Sequence, residues 1–149
     1  MRQLAALLVL LAAPAAAQDG LRGTWRGVYH CNQGNTALAL TIDPRKDGTL
    51  TALFHFEAAS DNPGVPTGCF AMEGRHDPAT GRTELRPLSW VLRPGNYVMV
   101  GLDGFLSAEG DRIEGWVSGP GCTAFRVERA AGPPAAAACR SGAPLLSLR

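Results

Sequence analysis

Three histidines, four cysteines and a set of strand-borne aromatics are the residues of this chain with chemistry to offer. General acid–base work needs a histidine or carboxylate within hydrogen-bond reach of a nucleophile. His30 alternates outward from a run that puts Trp25 and Tyr29 on its other face. His55 lies opposite Phe54 and Phe56, and His76 falls in a turn at the other end of the strands. The three do not converge. No GxSxG elbow, HExxH pair, P-loop or dinucleotide fingerprint occurs. The reading is a protein with no catalytic residues and no cofactor, with an enzyme kept as an alternative. Cys31, Cys69, Cys122 and Cys139 have neither CxxC nor Cys/His spacing, so no metal site is expected. Two structural disulfides in an oxidising compartment are the simplest use of them.

The N-terminus agrees with that compartment. Arg2 precedes an apolar run, Leu4 to Ala13, that is too short to span a membrane. Ala15-Ala16-Ala17 follows, so residues 1–17 read as a cleavable signal peptide with the cut after Ala17. No other stretch approaches spanning length. Richness in alanine, glycine and arginine, with Lys46 the only lysine, points to a GC-rich bacterial source. The expected location is the periplasm or the medium. With Arg2 removed the chain is formally neutral, which disfavours nucleic acid and anionic membrane as partners.

Short alternating runs separated by turn signals fill residues 18–130, and no long amphipathic helix interrupts them. Strands are expected at 23–31, 37–42, 50–57, 69–75, 83–92, 97–106, 112–118 and 122–129. Pro87 marks an edge or a bulge in the fifth. Asp47-Gly48, Asp77 to Gly81 and Glu109-Gly110-Asp111 are the turns of one end. The fold class is therefore all-β: a small, disulfide-bonded, eight-stranded antiparallel up-and-down β-barrel, with two stacked sheets as the alternative. Residues 131–149 read as an Ala/Pro-rich irregular tail.

In such a meander odd strands end, and even strands begin, at one rim. Cys31, Cys69 and Cys122 all fall there. Closure makes the first and eighth strands neighbours, so Cys31 is expected to pair with Cys122. Cys69 then pairs with Cys139 by elimination and staples the tail.

Two surfaces are candidates for binding. The cysteine rim gathers Asn32, Gln33, Asn35, Asp61, Asn62, Arg93, Asn96 and Tyr97, a set suited to hydrogen bonding with a protein or glycan of the cell envelope. Trp25, Tyr29, Trp90 and Trp116 are candidates to line a pocket in the barrel, which would make the protein a small-molecule carrier. A filled core is the alternative use of the same aromatics, and a purely structural envelope role stays open.

Three resemblances attach to these motifs. GTWRGVYHCNQGNTALALTI, GCFAMEGRHDPATGR and SGPGCTAF together resemble a domain of uncharacterised exported bacterial proteins over residues 21–129. Gly23-Thr24-Trp25 with the Asp-Gly hairpin is similar to the opening of avidin-like barrels, which bind biotin in the barrel mouth. Tyr29-His30-Cys31-Asn32-Gln33-Gly34 resembles the Tyr-x-Cys-x-x-Gly opening of C-type lysozyme inhibitors. Pro94-Gly95-Asn96-Tyr97 echoes a loop of theirs, with Pro94 in place of serine. The second resemblance implies an eight-stranded barrel, and the last a disulfide-bonded barrel with an inhibitor-like role.

Overall fold

A computed structural model describes residues 20–132, 134, 135, 137 and 139. The expected signal peptide and most of the far tail lie outside the described residues. Alternation of apolar and polar side chains runs through eight strands: β1 (Gly23–Cys31), β2 (Gly34–Pro44), β3 (Thr49–Ala58), β4 (Gly68–His76), β5 (Arg82–Leu92), β6 (Gly101–Leu106), β7 (Arg112–Ser118) and β8 (Ala124–Ala130). Each pairs antiparallel with the next, and β8 returns to β1, so the sheet closes into a barrel. The seam register runs from Thr24 opposite Ala130 to Tyr29 opposite Phe125. Closure consumes the edges that a small sheet otherwise leaves open to aggregation.

The turns follow their residues. Asp47 accepts hydrogen bonds from the Thr49 amide (3.0 Å) and hydroxyl (2.6 Å), and Gly48 takes the positive φ of 85° that the turn demands. Gly27 serves a different need. A Cβ there would run into the Arg126 carbonyl across the seam, so β1 and β8 approach closely only because the side chain is absent.

Two expected strands are corrected. The sixth begins at Gly101 rather than Tyr97. β5 pairs with β6 only over Arg82–Leu85. Beyond that Pro87 removes a donor, and register shifts against β4 leave Leu88 and Val91 without partners. Residues 93–100 therefore form a flap, turned where the Tyr97 amide donates to the Pro94 carbonyl (3.2 Å) and seated by Tyr97 on Phe56. The eighth begins at Ala124, because Cys122 belongs to the turn closed by its amide on the Gly119 carbonyl (3.2 Å). His76 also proves to end β4 rather than to sit in the turn.

Both disulfides are as expected: Cys31–Cys122 locks the seam at one rim, and Cys69–Cys139 ties the tail to β4. They place the chain in an oxidising, extracellular-type compartment. Among the described residues no helix is long and apolar enough to cross a membrane. Ala135, Ala137 and Cys139 have helical backbone.

Apolar and aromatic side chains occupy the interior. Trp25, Tyr29, Phe54, Phe56 and Phe70 are buried within it, with Leu40, Ile42, Leu50, Met72, Leu102, Ile113 and Val127. Phe54 stacks on Phe70 with ring centroids 4.5 Å apart and meets Tyr29 edge-on at 5.2 Å. At the far rim the Trp25 indole donates to the Leu21 carbonyl (2.9 Å), and the Arg129 guanidinium lies 4.3 Å from the ring centre. At the cysteine rim Tyr97 stacks on Phe56 and Trp90 packs edge-on against Phe70. Aromatic side chains thus close both ends.

Candidate functional site

The four candidate pocket residues do not share a cavity. Trp25 and Tyr29 are core, and Trp90 is half-buried as a plug at the rim. Trp116 alternates with the inward Ile113 and Val117 and so stands on the outer wall, 64% exposed. The expectation of an aromatic-lined interior pocket is corrected accordingly: the aromatics fill the space that a ligand would need.

The rim residues separate into two groups. In the first, the Asn35 side chain donates to Asp61 (2.8 Å), and Asn62 donates to the carbonyls of Gln33 and Asn35. Gln33 donates to Thr36 (3.2 Å) and reaches the Tyr29 hydroxyl at 3.4 Å. Asn32 lies over Gly121, whose positive φ and lack of a side chain leave it room. These amides fasten the loop after β3 to the β1–β2 turn. Burial pushes the Tyr29 hydroxyl well above its ordinary pKa, against the opposing pull of its hydrogen bonds with Thr36 and Gln33. The second group is the flap: Arg93 donates to the Tyr97 carbonyl (3.3 Å) and lies 5.8 Å from the Trp90 ring centre, and Asn96 is exposed at its tip. Among the described residues no hydrogen bond joins the two groups.

Below the first group, on the outer wall of β1, β6, β7 and β8, lies a groove of ≈660 Å³ lined mainly by apolar side chains. Two cross-strand rows build it, Val28–Arg126–Glu114–Phe105 and Ala124–Trp116, and the next residues along them, Arg82 and Asp103, lie beyond its lining. Val28 and Phe105 are each more than two-fifths exposed. The charges around them are already paired: Arg126 with Glu128 (3.0 Å), Glu114 with Arg112 (3.4 Å) and Arg126 (4.0 Å), and Arg82 with Asp103 (2.6 Å). The Arg82 guanidinium holds the Asp103 carboxyl below its usual range. His30 lines the same groove and meets Asn35 at 3.1 Å, which joins the wall to the rim network.

Sequence reasoning omitted Val28, Phe105, Arg112, Glu114, Ala124 and Arg126. Strict alternation against Tyr29, Gly104, Ile113 and Val127 was the signal that could have placed them outward.

The histidines stay apart. His30 is exposed at the groove, and His76 meets Thr83 at 2.9 Å near the opposite rim, its pKa lowered chiefly by burial. His55 is buried on the outside of β3. Among the described residues no three potential metal ligands gather. Compared with family models, with curated proteins and with solved structures, the chain matches none.

Proposed function

We propose that this chain is an exported, non-enzymatic binding domain that docks a protein partner of the cell envelope on its outer wall at the cysteine rim. The observation that carries the reading is the groove at Trp116: an exposed indole, valine and phenylalanine ringed by ion pairs. An apolar centre with a polar rim is the anatomy of a protein interface, and tryptophan is the residue most often found at its energetic centre. Because the ringing charges neutralise one another, the favoured contact is an uncharged apolar side chain rather than a charged one. His30, Asn35 and Asp61 extend the surface with hydrogen-bonding groups. The signal-peptide reading of residues 1–17 and the disulfides support an envelope or extracellular setting.

The test is a photo-cross-linker placed at Trp116 and, as control, at Arg45 on the opposite rim. The partner caught only by the first is identified, purified and titrated. Trp116→Ala is expected to weaken its binding tenfold or more. Equal binding by wild type and variant removes the groove from the interface. Binding of a neutral glycan, weakened by the same variant, would replace the protein partner with a sugar. Small-molecule carriage draws support from the groove volume alone, which lies in the ligand range.

A further inference from the structure

The tail is more than a tether. Its described residues cross the outer face of β1 to β4: Gly132 lies by Arg26, and the Ala135 amide donates to Thr41 (2.9 Å). Ala135 packs with Ala39 and Leu53 in a small apolar cluster outside the barrel, and Cys139 bonds to Cys69. Ala39 and Cys69 are the two register partners of His55. That imidazole is fully buried here, and neither ring nitrogen has a hydrogen-bond partner.

A buried imidazole with both nitrogens unpartnered is costly, and an apolar side chain would fill the same space at no such cost. What histidine adds is the capacity to take a proton. The closed strap therefore disfavours the protonated ring. Arg26 of β1 bears on it with a positive charge, and Glu57 stands two residues along β3. The neighbouring outward positions of β2 and β4 are Ala37, Ala39, Thr41, Cys69 and Ala71, and the described strap residues beside them are Ala135 and the bonded Cys139. None of these ionises.

We propose that the segment carrying Gly132, Ala135, Ala137 and Cys139 is an acid-released strap, closed over neutral His55 and lifted from β2 and β3 when the imidazole takes a proton. Both ends stay attached, through β8 and through the disulfide, so the opening is reversible. Burial, with Arg26 adding to it, pulls the His55 pKa from 6.5 down to about 4. The open state, with its ring in water, takes the proton first as pH falls below 6.5. Opening is therefore favoured progressively between pH 6.5 and 4 and levels off below, by roughly 300-fold in all.

Native-state hydrogen exchange on the whole chain, corrected for intrinsic rates, reads this directly. The Ala135 amide is expected to lose protection by that factor, while the Leu40 and Phe54 amides of the barrel keep theirs. In His55→Phe the strap should show no pH dependence. An equal pH response in wild type and variant, or none in wild type, overturns the proposal. Should the variant fail to fold, the His55 ring is titrated in the wild type by NMR. A midpoint below 6.5 at which the Ala135 signal moves together with the ring supports the strap; a midpoint near 6.5, or a ring that titrates while the Ala135 signal stays in place, overturns it.

Discussion

Trp116 stands opposite Ala124 across the β7–β8 ladder, and the small alanine leaves that side of the indole open. Filling the space should therefore act like removing the ring. Ala124→Arg is expected to weaken partner binding by at least tenfold, as Trp116→Ala does. Both sites are exposed, so unfolding free energy should change by no more than about 0.5 kcal/mol. Denaturant titration beside the binding assay separates a blocked groove from a damaged fold.

The alkaline limit of stability should be set in part by Tyr29. Its hydroxyl is buried, and its folded pKa is raised above 10.0. The unfolded chain therefore loses the proton first. Stability from the protonated hydroxyl is fully present below pH 10 and declines above it, by about 1.4 kcal/mol per pH unit until the folded group also ionises. Tyr29→Phe removes that slope while costing about 1 kcal/mol at neutral pH through the lost hydrogen bonds. Chemical denaturation at pH 8, 10 and 11 distinguishes the two; parallel curves for wild type and variant would reject the assignment.

Why were strand number, closure and both disulfides legible in the sequence, and the binding wall not? Alternation and turn residues act locally. Cys31, Cys69 and Cys122 then follow from counting strands, because a meander sends every odd strand to the same rim. The amides at 32–35 and 61–62 lie together, and their hydrogen bonds are internal. Asn62 bonds two carbonyls of the neighbouring turn, a contact between residues nearly thirty apart that no spacing reveals. Trp116 draws attention by its type as an interior residue, but Ile113 and Val117 take the inward phase of β7 and leave the indole outside. His55 was rightly placed opposite Phe54 and Phe56. Its burial depends on where the tail crosses, which composition alone does not specify.

The two disulfides should have unequal roles. Cys31–Cys122 closes the seam where β1 meets β8, across a separation of 91 residues. Replacing both cysteines by serine frees the unfolded chain and loosens closure, at an expected cost of about 2–5 kcal/mol. Cys69→Ser with Cys139→Ser frees only the strap in the native state. Its signature is selective: rapid exchange at Ala135, and exposure of His55 that moves the imidazole pKa back toward 6.5. Barrel amides should keep their relative order of protection. If the strap stays protected without its disulfide, packing of Ala135 on Ala39 and Leu53 is sufficient to hold it.

A filled barrel and a hollow one respond oppositely to loss of a central ring. Phe54 is surrounded by Tyr29, Phe56 and Phe70, with centroids 5.2, 6.2 and 4.5 Å away, and is fully buried. Phe54→Ala would leave an apolar cavity that its neighbours, pinned on three different strands, close only in part. The expected cost is about 3–5 kcal/mol, the range for deleting a packed aromatic. The new cavity should be dry and able to take xenon or a benzene-sized probe, as engineered apolar cavities do. The wild-type interior should take neither. A carrier with an open interior would show the reverse: wild type binding the probe, and a truncation costing little because the lost atoms had faced solvent. Measuring probe affinity and unfolding free energy on the same pair of proteins therefore separates a packing role for these aromatics from a pocket role.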